Sequence, residues 1–563
     1  MSTKNSSRFT PVIIAVSVVV GILIGTFYAK HFAGNRLGII NGSSNKLNAL
    51  LRIVDDQYVD TVNMADLVEK AMPQILAELD PHSTYIPAQN LEEVNSELEG
   101  SFSGIGIQFT IQNDTIHVNA VVQGGPSEKI GLMAGDRIVT VDDSLFVGKK
   151  VTNERAMRTL KGPKGSQVKL GIKRTGEKDL LHFNITRGDI PQNTVDAAYM
   201  LNDDIGYVKV SKFGRTSHVE LLNALAQLNH KKCKGLIIDL RGNTGGYMEA
   251  AIRMVNEFLP EGKLIVYTQG RKYPRAEEFA NGTGSCQKMP LVVLIDEGSA
   301  SASEIFTGAI QDNDRGTVVG RRSFGKGLVQ VPRSLPYGGT MKVTTSKYYI
   351  PSGRCVQAID YKHRNEDGSV GTIPDSLTKV FHTAAGREVR DGGGVMPDIT
   401  IKQEKLPNIL FYLVRDNLIF DYATQYCLKH PTIVAPEKFE VTDADYNDFK
   451  ALVKKADFKY DQQSEKILKT LKEAAEFEGY MDDASEEFKA LEKKLNHDLD
   501  RDLDYFSSDI KKMIATEIIK RYYYQRGNII QQLKDDDGLK EAMKILNDPV
   551  KYKEMLSAPT AKK

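Results

Sequence analysis

The chain has 563 residues, 41% of them hydrophobic and 26% charged, which is apolar material for several folded domains and excludes a disordered polymer. Its 74 Lys and Arg against 73 Asp and Glu leave a formal charge of +1, so no global field draws it to nucleic acid or to an anionic surface. Four cysteines, Cys233, Cys286, Cys355 and Cys427, stand far apart without C-x-x-C or Cys/His spacing; this argues against a structural metal site and suits buried thiols as well as disulfides.

Between Arg8 and Lys30, the 21 residues Phe9 to Ala29 carry no charge, enough for one helix across a bilayer. No A-x-A site follows, so a retained single-pass anchor over 1–33 is preferred to a cleaved signal peptide. The polar stretch Gly34 to Asn45 reads as a tether. Leu47, Leu51 and Val54 then predict a first helix, and a second runs from about Met64 to Leu79 until Asp80-Pro81 stops it. Residues 34–100 are thus an N-terminal helical region.

From 101 to 187 the pattern changes to short alternating strands broken by glycine turns. The order of SFSGIGIQF, SEKIGLMAGDRIVTVDD and SQVKLGIKR resembles a PDZ domain. That resemblance implies that the loop Gly104, Ile105, Gly106 and Ile107 offers amides to a peptide C-terminal carboxylate, while the next strand accepts the peptide by β-augmentation. Residues 188–401 repeat a unit of buried strand, glycine turn and helix: KGLIIDLRGNTGG before Tyr247 to Leu259, and PLVVLIDEGSASASEI before Ile305 to Gln311. Such units predict an α/β core with largely parallel pairing and active groups at the carboxyl ends of the strands. From 402 to 563 glycines thin out, and stripes such as Phe449, Leu452, Val453 and Ala456, or Ile510, Met513, Ile514 and Ile518, predict a helical C-terminal extension without chemistry of its own.

Peptide hydrolysis needs a nucleophile, a base and donors aimed at the developing oxyanion. The serines of GSASASEI, Ser299, Ser301 and Ser303, start a helix after a buried strand; taken alone they read as N-caps. Lys326 in SFGKGLVQ changes the reading. A free lysine is neutral in only about one molecule in 2,500 at pH 7, and a base active there needs roughly 4.6 kcal/mol of desolvation or positive neighbours. Gly325 and Gly327 permit close backbone approach, and Gln330 falls on the same face of an extended strand as Lys326, where it can orient the amine.

GSASASEI followed by FGKGLVQ resembles the C-terminal-processing, or tail-specific, serine peptidase family, as do LDPHSTYIP at Leu79 to Pro87 and GVMPDITI at Gly394 to Ile401. The resemblance covers about residues 45–401. It implies Ser301 as nucleophile, Lys326 as general base and Gln330 as its assistant. The oxyanion donors it implies are the amides of Ala302 and Gly246, with Gly245 as the alternative. It also implies a crotonase-like (ClpP/crotonase superfamily) α/β core with an inserted PDZ domain, no metal or organic cofactor, and an extracytoplasmic, periplasmic setting. One departure is Leu160-Lys161-Gly162, where many members carry arginine; lysine lacks the guanidinium fork. Asp312 lies about 16 Å along the helix from Ser301 and reads as a helix-end structural residue. Asp239 and Arg241 read as supports of the glycine turn.

The expected protein is a membrane-anchored endopeptidase that takes protein or peptide substrates with apolar C-termini. No nucleic-acid partner is expected, and a homo-oligomer stays open. Two rivals are a non-catalytic PDZ scaffold on an inactive protease core and a hydratase or isomerase acting on an acyl thioester.

Overall fold

The computed structural model describes residues 16, 18–21, 34–91, 94, 100–336, 338–364, 370–461, 463–495 and 498–557. The expected membrane anchor, Phe9 to Ala29, lies almost wholly outside these residues, and none of the described helices is long and apolar enough to cross a membrane. The chain divides into two compact units, Met1–Pro87 with Ser334–Lys342, and Ala88–Arg333 with Val343–Lys563.

In the smaller unit, helix α1 spans Gly34–Gln57. The expected tether at Gly34 to Asn45 is therefore helical: it contains no proline, and nothing in it stops the helix seeded by Leu47 to Val54 from running back through it. Helix α2, Met64–Ala77, begins at Asn63, whose side chain accepts the amides of Ala65 and Asp66. Beyond it the buried Asp80 gathers the amides of His82 and Ser83 and the Ser83 hydroxyl, which makes LDPHSTYIP a compact turn. Strand β1, Thr84–Ile86, pairs with Thr340–Lys342.

In the larger unit a ribbon of β2, Ser101–Gly104, and β8, Gly188–Pro191, frames an antiparallel module at its entry and exit. Its sheet runs β3 (Ile107–Gln112), β4 (Thr115–Val121), β5 (Arg137–Val141), β6 (Gln167–Lys173) and β7 (Leu181–Thr186), in chain order. Among the described residues strand β3 stands at the edge, paired with β4. Ile105, Ile116, Ile138 and Leu170 form its core beneath helix α3, Asn153–Leu160.

The second sheet sets the chemistry in place. Its order is β9 (Val195–Met200), β10 (Ile205–Val210), β11 (Gly235–Asp239), β12 (Leu291–Ile295), β13 (Thr317–Gly320) and β14 (Ile399–Thr400); only the first pair is antiparallel. Every residue of β11, β12 and β13 is buried. Alternate residues face opposite layers. Leu236, Ile238, Leu291 and Val293 pack on helices α4 (Ser217–His230), α5 (Met248–Asn256) and α6 (Ala302–Asp312). Ile237, Val292, Leu294 and Val319 instead meet Ile529, Leu533, Leu539, Ala542, Ile545 and Tyr552 of the C-terminal region. The C-terminal helices are therefore the second cover of the sheet as well as a domain with its own core around Phe449, Val453, Ile514 and Ile518.

Candidate active site

Strand β12 ends at Asp296-Glu297-Gly298, and α6 begins with Ser301 as its N-cap. The three serines of the turn divide cleanly. Ser299 is fully buried, and its hydroxyl donates to Leu240 O at 2.9 Å; Ser303, equally buried, donates to Asn243 O at 2.7 Å. Both stitch this turn to the glycine turn after β11. Ser301 alone keeps partial exposure, on a backbone at φ 55° and ψ −112° that an L-residue adopts only when its surroundings impose it.

Glu304, which the sequence reading did not single out, imposes it. Its fully buried carboxylate accepts the Ser301 amide at 2.9 Å and the Lys326 amide at 2.8 Å on one oxygen, and the Gly325 amide at 2.7 Å and the Ser323 hydroxyl at 2.5 Å on the other. One side chain thus joins the serine turn to the lysine loop. Burial pushes the Glu304 carboxyl above the usual range against the pull of these four donors. A second tie runs from the Phe324 amide to Ser299 O at 3.0 Å. Lys326 is half-buried. Gln330 follows on strand β15, Leu328–Ser334, where its Nε2 donates to Thr344 Oγ1 at 3.0 Å.

The glycine turn closes the site from the other side. Asn243, buried, donates to Val210 O and accepts the Gly245 amide at 2.9 Å, while its carbonyl accepts the Ala300 amide at 3.0 Å. Gly245 sits at φ 103°, and a Cβ there would lie 2.8 Å from Ala300 O and 2.9 Å from Ser301 Cβ. Only glycine permits this approach. The Gly245 amide is occupied by Asn243, whereas no acceptor for the amides of Gly246 or Ala302 is found among the described residues. Helices α5 and α6 both begin here, and their N-terminal ends favour negative charge.

Beneath the turn, Asp239 binds the Tyr207 hydroxyl at 2.7 Å, Lys209 and Arg241; Arg241 also pairs with Asp536 at 2.6 Å. Burial alone would raise the Asp239 carboxyl, but the charges of Arg241 and Lys209 hold it well below the usual range. Asp312, the last residue of α6, forms a buried ion pair with Arg354 at 2.7 Å and accepts the Ser352 amide. Both acids are buried and taken up by these partners. All four cysteines are free, with burial raising each thiol.

In the antiparallel module the loop from Gly104 to Ile107 turns at Gly106, φ 80°, with Ile105 buried in the core below. Lys161 Nζ lies 5.1 Å from the Phe102 ring, and the nearby Arg187 guanidinium donates to Thr159 O, Leu160 O, Ser166 Oγ and Gln167 O.

These loops and the edge strand beside them suit a serine-type hydrolase with an α/β core, joined to an antiparallel β module. Comparison with known proteins agrees. The Peptidase family S41 model matches residues 204–364, a PDZ domain model residues 103–185, and the model described as "Probable PDZ-protease, C-terminal helical domain" residues 409–546. The carboxy-terminal-processing protease of Bartonella bacilliformis is 36% identical over 330 residues, covering 57% of this chain and 75% of that protein. The carboxy-terminal processing protease CtpA of Bacillus subtilis is 31% identical over 386 residues, 67% of this chain and 78% of its own. The chain belongs to peptidase family S41, the carboxy-terminal-processing serine peptidases, and carries a PDZ domain. The third match also gives the C-terminal helices, to which the sequence resemblance carried nothing over, a counterpart among PDZ-proteases.

Proposed function

We propose that this chain is an endopeptidase with a Ser-Lys dyad on a crotonase-like core, which captures the apolar C-terminal end of a protein in its PDZ domain and cleaves within the tail. The observation that carries this reading is the Glu304 carboxylate bound at once to the amides of Ser301 and Lys326. In the proposed mechanism Ser301 Oγ attacks the scissile carbonyl while its proton passes to the Lys326 amine. The amides of Ala302 and Gly246 hold the oxyanion. Collapse breaks the C–N bond, and Lys326 returns the proton to the leaving amine. Water, deprotonated by Lys326, then hydrolyses the acyl-enzyme. Gln330, anchored by Thr344, supports the lysine side of the site. The edge strand β3 and the loop before it receive the substrate's end.

The anchor over Phe9 to Ala29 and an extracytoplasmic placement complete the proposal. Retention in the membrane pellet after alkaline carbonate washing tests the first; a reporter fused beyond residue 34 tests the second. For the chemistry, the full chain in detergent is incubated with an unstructured protein bearing an apolar tail. Ser301→Ala and Lys326→Ala are each expected to lose at least ~10³-fold in turnover. Undiminished cleavage by Ser301→Ala would end the proposal. Peptide binding without any cleavage by the wild type would favour the scaffold rival.

A further inference from the structure

The Ser301 carbonyl and the Ala302 N–H are the two ends of one planar peptide unit. Whatever sets the direction of the carbonyl therefore sets the direction of the amide that is to meet the oxyanion. The carbonyl accepts the amides of Glu304 at 2.8 Å and Ile305 at 3.0 Å, both from its own helical turn. Its third donor comes from outside that helix: the phenol of Tyr348, at 3.1 Å, on strand β16, Thr340–Tyr349. Tyr348 is 1% exposed, and its own amide donates to Gly327 O at 3.0 Å, next to Lys326. Burial raises the phenol well above its ordinary range, which keeps it a neutral donor. Helix amides move with the turn they belong to; a hydroxyl borne on a separate sheet is an external reference.

We infer that Tyr348 is a positioning residue that pins the Ser301–Ala302 peptide plane, aiming the Ala302 amide at the oxyanion and holding that plane in register with the backbone beside Lys326. The inference rests on the proposed oxyanion role of Ala302.

Tyr348→Phe tests it, because only the hydroxyl is removed. Cleavage of a tail-bearing protein is expected to lose ~10- to 100-fold in kcat, less than outright removal of an oxyanion donor, with KM within about twofold. A peptide boronic acid, whose tetrahedral adduct with Ser301 places an oxygen where the oxyanion forms, should lose affinity by a similar factor. Affinity for an uncleaved product peptide and the Tm should stay unchanged. Wild-type kcat and boronate affinity in Tyr348→Phe overturn the inference, as does a loss shared equally by boronate and product peptide, which marks a merely structural role. A parallel Ser301→Ala measurement separates the levels. Activity there removes the underlying reading, whereas an inactive Ser301→Ala beside a fully active Tyr348→Phe removes the Tyr348 role alone.

Discussion

Two loops of this molecule present backbone amides, and they are built in opposite ways. The PDZ loop turns at Gly106 and is held by main-chain bonds, from the Ser127 amide to Ile105 O and from the Val122 amide to Gly106 O, and by the Ile105 side chain packed in the core below. The active-site turn places a serine at positive φ and ties it down from three segments: the Glu304 carboxylate from the helix, the Asn243 main-chain carbonyl from the glycine turn and the Tyr348 phenol from strand β16. A loop that offers only amides can relax into glycine. A loop that must also carry a hydroxyl cannot, and its conformational cost, of order 1–3 kcal/mol, is met by buried polar contacts elsewhere.

Four substitutions test that contrast, in falling order of effect. Glu304→Ala strands three amides and the Ser323 hydroxyl in a buried site, at about 1–3 kcal/mol each, so kcat should fall by ~10³-fold or more with a clear drop in Tm. Asp239→Asn leaves Arg241 and Lys209 without their buried anion and should destabilise the fold by about 3–5 kcal/mol in denaturant melts. Because the folded Asp239 carboxyl is depressed, its stabilisation is present above the unfolded value near pH ~4 and is lost as pH falls through the folded one. The gap between wild type and Asp239→Asn should accordingly stay flat from neutral pH to that point and shrink only in stronger acid. Gly245→Ala, forced against Ala300 O and Ser301 Cβ, should lower kcat ~10²-fold with little change in KM. In Gly106→Ala the close contact is with the flexible end of Ile190, and Pro126 Cδ and Gly125 Cα lie at ordinary contact distance, so its penalty is chiefly backbone, and tail-peptide affinity should weaken ~10-fold while short peptides are cleaved normally. If Gly106→Ala and Gly245→Ala gave the same kinetic signature, the two loops would not be the separate devices described above.

Much of this was legible before any coordinates. Parallel pairing followed from repeated strand-turn-helix units, and the two motifs marked the serine turn and the lysine loop that Glu304 joins. Glu304 had a signal that went unused, since Ser301-Ala-Ser-Glu304 has capping-box spacing. No local pattern could show that the same carboxylate would also receive Gly325 and Lys326, more than twenty residues on. Tyr348 and Arg354 gave no signal, because each acts on a group of the serine helix over forty residues away in sequence. The second cover of the sheet was half visible. Strands such as GLIID and LVVLI, apolar at successive positions, require helices on both faces. Only one set of helices lies between the strands; the other comes from the C-terminal stripes, whose periodicity predicts helices but not the face they cover. The helical run through Gly34 to Asn45 was missed because glycine and asparagine are weak evidence against a helix when no proline interrupts it.

That second cover makes the enzyme's maturation a matter of timing. During synthesis the strands from Ile205 to Gly320 emerge long before residues 529–552, so one greasy side of the nascent sheet waits for its lid while the intervening domain is translated. Tyr207 and Arg241, which brace Asp239, pack against that late-arriving segment, so the support beneath the glycine turn is complete only once residues 529–552 have been made.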